Sequence, residues 1–354
     1  MALIPQTRHL NPVSVKHLAC AIPSTNAVNL KNQTCLKRCP KKPDSKILDA
    51  LRCKVALVTG GSRGVGYQLA ESLLDVGTKA VIFGDAKDDC KKDIHKLNEK
   101  YGEPRAFFLK CDLSRKSDME KLFKTAMEKF KKIDLVINNA DLDGEWEQTL
   151  CNNLHGIVRG TLLGFQHMGT QTGGKGGYII NVSSILGLQP FFASPIYSGT
   201  KHFGIGFSRS MGHEYFYTRS KVKVLTLCPS LTESTTKKKN SIPEFKNLLK
   251  DSVWNIRNTP SQEPGEIGKG LLTMLEDAEN GSVWVSEGNE FYKATMPDRR
   301  CMKADGSKGD DGCGKENPCK IKVPKKKKDK CEPLKKHDPC HKDNPCRKPN
   351  NTCK

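Results

Sequence analysis

Short apolar runs alternate with stretches of helical spacing through the middle of this chain, and this alternation is the feature that most restricts its fold. The runs occupy residues 54–58, 80–83, 106–109, 135–137, 178–182 and 222–227, and helical spacing marks residues 67–76, 119–130 and 203–217. The runs lack strict polar–apolar alternation, which is typical of strands that are buried on both faces. Alternating strands and helices predict an α/β fold with a doubly wound parallel sheet.

Charge divides the chain into three regions. The sequence has 59 Lys and Arg against 39 Asp and Glu, a net charge of +20. Residues 1–50 contribute +6, residues 51–296 contribute +5 and residues 297–354 contribute +9. A nearly neutral middle region disfavours a nucleic-acid-binding domain, so we expect one globular domain at 51–296 between disordered extensions.

The leader, residues 1–50, has no acidic residue before Asp44. An acid-poor basic leader resembles a mitochondrial transit peptide, but Pro5, Pro12 and Pro23 interrupt any amphipathic helix, which favours a disordered tail. No secretory segment and no membrane span of about 18 apolar residues is recognisable. We therefore expect a reduced, cytoplasmic protein, with a mitochondrial location as the alternative.

A glycine-rich loop follows the first apolar run, with the sequence Thr-Gly-Gly-Ser-Arg-Gly-Val-Gly at residues 59–66. Glycines allow a tight turn and a close approach to a pyrophosphate, which then binds at the N-terminus of the next helix. The expected cofactor contacts are Thr59, Gly60, Gly64, Val65 and Gly66. Asp85 lies 19 residues beyond Gly66, where a carboxylate accepts both ribose hydroxyls and repels a 2′-phosphate. The predicted cofactor is therefore NAD rather than NADP.

Further motifs follow in order along the chain. They are Asp112 in Cys-Asp-Leu, Asn139 in Asn-Asn-Ala-Asp, Asn153 in Asn-Asn-Leu, Ser184 placed 13 residues before Tyr197, and Tyr-Ser-Gly-Thr-Lys at 197–201. With the glycine loop, these motifs resemble the short-chain dehydrogenase/reductase family over residues 54–284. The resemblance implies a Rossmann fold in which Asp112 and Asn139 contact the cofactor, together with Pro229 and Ser234 after the sixth strand.

Tyr197 and Lys201 are the predicted catalytic pair, because residues four apart share one face of a helix. A neighbouring ammonium and the positive nicotinamide favour the phenolate, which lowers the tyrosine pKa from about 10 towards neutrality. Tyr197 then acts as the general base towards an alcohol. Ser184 is expected to hold the substrate oxygen, and the resemblance implies that Asn153 fixes a water that relays protons from Lys201.

Two residues depart from the family pattern. Asp141 stands where the family has glycine after Asn-Asn-Ala, and Ser230 stands where it has glycine after Pro229. We expect Asp141 to add a carboxylate near the cofactor phosphates and both changes to weaken cofactor binding. The alternative function is thus a catalytically degenerate structural or interaction protein, such as a cysteine-rich sperm component.

Residues 153–168, 176–188 and 280–284 resemble one branch of the family, which holds NAD-dependent hydroxyprostaglandin dehydrogenase and insect alcohol dehydrogenases. The branch implies oxidation of a secondary alcohol to a ketone, and a homodimer formed through the helices of Asn153 and Tyr197. Phe191, Phe192 and residues 230–254 are the expected walls of the substrate pocket.

The tail, residues 297–354, repeats the pattern Cys-x-Lys-acid-Asn-Pro-Cys at 313–319 and 340–346. Zinc ligands usually stand two to four residues apart, so the wider gap between these cysteines makes a metal site the least favoured of three alternatives. Disulfide cross-linking and a flexible basic appendage for an acidic partner remain open. The run of lysines at 325–328 has no interleaved aromatics, so a solvated charge run is favoured over a nuclear signal or nucleic-acid patch.

Overall fold

A computed structural model of the chain describes residues 50–61, 64–86, 91–192, 194–230, 262–277 and 279–297. The chain divides into two units, Met1–Met296 and Pro297–Lys354, and the sheet and helices that follow belong to the first unit. Most of the leader, the tail beyond Pro297 and the predicted cofactor contact Ser234 lie outside the described residues. None of the described helices is long and apolar enough to cross a membrane.

One eight-stranded sheet forms the centre of the first unit, with the strand order β3-β2-β1-β4-β5-β6-β7-β8. The strands are β1 (Val55–Thr59), β2 (Ala80–Asp85), β3 (Ala106–Lys110), β4 (Leu135–Asn138), β5 (Gly177–Val182), β6 (Val222–Pro229), β7 (Val283–Glu287) and β8 (Glu290–Lys293). The neighbouring pairs from β3 to β7 are parallel, and β8 pairs antiparallel with β7. The predicted doubly wound parallel sheet is confirmed, and the strands β7 and β8 are additions to the six predicted strands.

The helices connect the strands in the alternating order that the sequence predicts. They are α1 (Gly64–Asp75), α2 (Lys91–Tyr101), α3 (Lys116–Phe130), α4 (Trp146–Leu150), α5 (Gly156–Met168), α6 (Pro195–Met211), α7 (Glu214–Ser220) and α8 (Pro264–Glu276). The predicted helix at 203–217 is two helices, α6 and α7, separated near Gly212. A β-carbon at Gly212 would lie 2.4 Å from Cα of Gly281, so this close backbone approach marks the break.

Successive side chains of the central strands point to opposite faces, and each face is covered by helices. In β1, Val58 belongs to a buried cluster with Leu69 of α1 and Leu271 of α8. Its neighbour Leu57 belongs to a second cluster, with Phe123 of α3. Burial on both faces explains why the strands are apolar throughout.

The strand order reverses direction beside β1, because β2 lies on one side of it and β4 on the other. In open α/β sheets, ligands bind outside the carboxyl ends of the strands at such a reversal. The carboxyl ends of β1 and β4 are Thr59 and Asn138, which pair in register. The predicted cofactor loop and the Asn-Asn-Ala-Asp motif therefore meet at one edge.

Candidate active site

The glycine loop after β1 is fastened to the segment after β4. Asn139 donates through Nδ2 to the carbonyl oxygens of Gly60 (2.8 Å) and Thr59 (3.2 Å). Oγ1 of Thr59 accepts hydrogen bonds from the backbone N–H groups of Asn139 (3.1 Å) and Ala140 (3.2 Å). These bonds hold the two segments together at the reversal of the sheet.

The loop has no room for side chains at Gly60, Gly61 and Gly66. Gly60 has a positive φ of 60°, and a β-carbon there would lie 2.5 Å from Cα of Ala140. A β-carbon at Gly66 would lie 2.5 Å from Nδ2 of Asn139. Gly64 opens α1 with φ of 57°, and the partly buried Val65 packs on the core. A bare backbone at the N-terminus of a helix fits the pyrophosphate of the predicted dinucleotide.

Two carboxylates follow the neighbouring strands at the same edge. Asp85 ends β2, and Asp112 lies just beyond β3. Oδ1 of Asp112 accepts hydrogen bonds from Oγ (2.6 Å) and N (3.0 Å) of Ser114, and Arg115 lies 3.3 Å from Oδ2. The Ser114 hydroxyl, followed by the Ser114 N–H and the Arg115 charge, holds the pKa of Asp112 below its usual range. Asp112 thus lies at the predicted cofactor edge as a carboxylate.

The predicted catalytic pair lies on α6. Tyr197 and Lys201 are one turn apart and are 5% and 3% exposed. The Lys201 ammonium lies 5.2 Å from the centroid of the Tyr197 ring. Ser184 follows β5, and its Oγ accepts a hydrogen bond from the N–H of Leu186 (3.2 Å).

Asn153 lies in a single π-helical turn, Cys151–His155, between α4 and α5. Its Oδ1 accepts from the N–H of Leu142 (2.9 Å), and its Nδ2 donates to the carbonyl of Leu142 (2.9 Å) and to Oγ1 of Thr200 (3.1 Å). The carboxamide therefore joins the loop after β4 to α6. Its predicted role in fixing a water stays a prediction.

Asp141 contacts both members of the predicted catalytic pair. Its Oδ2 accepts a hydrogen bond from the hydroxyl of Tyr197 (2.6 Å), and its Oδ1 lies 3.0 Å from Nζ of Lys201. Among the described residues, the non-glycine positions with positive φ are Cys53, Lys131, Lys221 and Asn289. Position 141 therefore needs no left-handed backbone. Its carboxylate contacts Tyr197 and Lys201, whereas the sequence predicted a carboxylate near the cofactor phosphates.

The pKa of Tyr197 lies well above its ordinary value of 10.0. Burial is the largest cause, and the charge and hydrogen bond of Asp141 and the charge of Asp143 add to it. The direction of this pKa is opposite to the lowering that the sequence predicts for the site with nicotinamide bound, because burial and the Asp141 carboxylate both favour the protonated phenol.

The end of β6 is held by a second group of polar residues. The N–H of Ser230 donates to the carbonyl of Ser286 (2.8 Å), which also accepts from Nε2 of Gln262 (2.8 Å). Oγ of Ser286 donates to Oε1 of Gln262 (2.6 Å). Sequence reasoning missed Gln262, since no local pattern joins it to Pro229 and Ser230. Phe191 and Phe192 lie 6.2 Å apart between ring centroids, whereas residues 231–254 of the predicted pocket lie outside the described residues.

Comparison with known proteins gives one family and several relatives. Residues 54–244 match the family model described as short chain dehydrogenase. Human 15-hydroxyprostaglandin dehydrogenase [NAD(+)] is 35% identical over 254 residues, which cover 67% of this chain and 93% of the relative. Alcohol dehydrogenase 2 of Ceratitis rosa is 30% identical over 244 residues, covering 68% of this chain and 94% of the relative.

Solved structures share the fold at lower identity. The 3-ketoacyl-(acyl-carrier-protein) reductase of Brucella melitensis, complexed with NADH, is 20% identical with a TM-score of 0.55, covering 67% of this chain and 98% of that one. Levodione reductase is 21% identical with a TM-score of 0.57, covering 67% of this chain and 97% of that one. Both likenesses extend over nearly the whole of the solved chains.

Proposed function

This chain belongs to the short-chain dehydrogenase family of oxidoreductases, and we propose that it oxidises a secondary alcohol to a ketone with NAD as the cofactor. The observation that carries the proposal is the joint position of Tyr197 and Lys201, buried side by side on α6 at the edge that also holds the glycine loop. Relatives named as an NAD-dependent hydroxyprostaglandin dehydrogenase and an alcohol dehydrogenase support this substrate class.

Of the residues proposed to hold NAD, those that the structure describes lie along the carboxyl edge of the sheet. They are Thr59, Gly60, Gly64, Val65, Gly66, Asp85, Asp112, Asn139 and Pro229, together with Ser234 outside the described residues. The glycine loop, whose backbone carries no side chains at Gly60 and Gly66, fits a pyrophosphate. Asp85 at the end of β2 suits a ribose without a 2′-phosphate. When bound, NAD supplies the acceptor for the hydride that leaves the alcohol carbon.

Side chains of the protein accept the proton and orient the substrate. Oγ of Ser184 holds the alcohol oxygen, and the phenolate oxygen of Tyr197 takes its proton as general base. Lys201 stabilises the phenolate by charge. Asn153 joins the loop after β4 to α6 through Leu142 and Thr200, which fixes the position of this pair.

A homodimer is part of the proposal. The helices that hold Asn153 and Tyr197 border an apolar surface groove, lined by Trp146, Leu150, Leu154, Ile196, Gly199, Thr200 and Phe203. Within it, Trp146 is 47% and Phe203 39% exposed. Large exposed apolar side chains in one patch mark interaction surfaces, and a second copy of this chain fits the expectation from the family branch.

A second candidate function is a structural or interaction protein that keeps the fold without turnover. The contacts of Asp141 favour this candidate, because one carboxylate accepts a hydrogen bond from the hydroxyl of Tyr197 and forms an ion pair with the ammonium of Lys201. Ser230 adds a side chain where the family has glycine. This candidate predicts that Asp141→Gly combined with Ser230→Gly restores NAD binding.

The test is NADH formation from secondary alcohols by the full-length protein and by Tyr197→Phe. We expect the variant to lose roughly 10²–10⁴-fold in turnover, the contribution of a positioned general base, while circular dichroism shows the same fold. Equal turnover of the two proteins would refute the role of Tyr197. Calorimetric titration with NAD separates the two candidates, since absence of binding favours the structural protein.

A further inference from the structure

Asp141 joins two groups that have separate tasks in the proposed reaction. Oδ2 accepts a hydrogen bond of 2.6 Å from the hydroxyl of Tyr197, and Oδ1 lies 3.0 Å from the Lys201 ammonium. Lys201 is 3% exposed, whereas the side chain of Asp141 is 36% exposed. The pair is thus held by a carboxylate that stays in contact with solvent.

Among the described residues, the ionisable groups that face Tyr197 and Lys201 come from three elements. Asp141 and Asp143 lie on the loop after β4, Cys228 lies on β6, and the two catalytic residues share α6. Burial raises the pKa of the Cys228 thiol to about 12, so it adds no charge near neutral pH. Asp143 accepts a hydrogen bond from the hydroxyl of Ser194 (3.1 Å), whereas Asp141 contacts both members of the pair directly.

We propose that Asp141 is an intramolecular clamp on the catalytic pair, a positioning residue that holds the proton on Tyr197 and neutralises Lys201 until the Asp141–Tyr197 hydrogen bond opens. Removing the carboxylate then activates the site. This inference rests on the proposed oxidation only for its effect on turnover, because the contact between Asp141 and Tyr197 exists whatever the substrate is.

The proton balance shows why the clamp opposes the reaction. Oxidation breaks the O–H and C–H bonds of the alcohol, and the proton moves to the oxygen of Tyr197 while the hydride moves to the nicotinamide. Tyr197 accepts that proton only as a phenolate. Its own proton must first leave, and a phenolate beside the Asp141 carboxylate would place two anions in contact.

The direction of the tyrosine pKa agrees with this geometry. Burial, Asp141 and Asp143 all raise it, and a general base acts best when its pKa lies near the working pH. Without the Asp141 charge, Lys201 favours the phenolate, and only burial and the Asp143 charge still oppose it. The rise of oxidation with pH should therefore occur at lower pH once Asp141 is replaced by a neutral residue.

The first experiment measures the proton on Tyr197 directly, without cofactor. The full-length protein is labelled with tyrosine carrying ¹³C at the hydroxyl-bearing ring carbon, and Tyr197→Phe identifies the Tyr197 resonance among the 7 tyrosines. In Asp141→Asn, which keeps the side-chain shape, we expect the titration of this resonance to move to lower pH. An unchanged titration overturns the clamp.

The second experiment measures NADH formation against pH. We expect Asp141→Asn and Asp141→Gly to raise turnover at pH 7 by about tenfold or more, a part of the roughly 10²–10⁴-fold that a positioned base supplies. Asp143→Asn is the matched control. We expect it to raise turnover less than the Asp141 variants do, which distinguishes the direct contact of Asp141 from the effect of any negative charge near the pair. Lower turnover in both Asp141 variants overturns the clamp, since Asp141 would then be a proton acceptor that oxidation needs. A shifted titration with no turnover in any variant supports the clamp and refutes the proposed oxidation.

Discussion

Replacement of Gly66 by alanine tests whether the contact with Asn139 holds the glycine loop in place. Gly66 lies in α1, where a new β-carbon would meet Nδ2 of Asn139 at 2.5 Å and Cα of Gly61 at 2.6 Å. The Asn139 carboxamide occupies this space because it donates to the carbonyls of Thr59 and Gly60. The substitution must therefore displace either the asparagine or the loop.

The size of the effect follows from three contributions. Alanine in a helix is favoured over glycine by about 1 kcal/mol. Overpacking costs about 1–3 kcal/mol, and a buried carbonyl that loses its donor costs about 1–3 kcal/mol more. We expect the free energy of unfolding of Gly66→Ala to fall by about 3 kcal/mol, with loss of NAD binding.

Equilibrium denaturation in urea measures this change, and calorimetry measures NAD binding. Gly206→Ala in α6 is the matched control, because a β-carbon there meets nothing within 4 Å. The control should gain about 0.5–1 kcal/mol from helix propensity alone. If Gly66→Ala gains as much as the control and still binds NAD, the contact between Gly66 and Asn139 does not hold the loop.

Asp85→Asn should weaken NAD binding and reduce the preference for NAD over NADP, because the 2′-phosphate is no longer repelled. Calorimetry with both nucleotides measures this preference, and an unchanged preference refutes the contact of Asp85 with the ribose. Burial raises the pKa of the Cys111 and Cys228 thiols to about 12. Iodoacetamide at about pH 8 should therefore modify the exposed Cys151 and leave Cys111 and Cys228 unmodified, which peptide mass spectrometry measures. Modification of Cys228 in the folded protein at the rate of Cys151 would contradict that burial. Phe203→Asp should convert a dimer to a monomer in light scattering, whereas a dimer that persists would place the interface elsewhere.

Local patterns predicted most of the sheet because strand burial and helix periodicity are properties of neighbouring residues. The six apolar runs all became strands, with ends shifted by a few residues at most. The strands β7 and β8 were missed, and the residues of β8 are mostly exposed and carry no apolar run. The helix predicted at 203–217 divides near Gly212, where the backbone comes close to the distant Gly281.

The sequence by itself determined the order of the first six strands along the chain, the glycine loop, and the placing of Tyr197 and Lys201 on one helical face. These features depend on spacings of a few residues, which backbone geometry converts directly into position. Tertiary structure alone decided the neighbour of that pair. Asp141 and Tyr197 are 56 residues apart, and their contact depends on how the loop after β4 folds back onto α6.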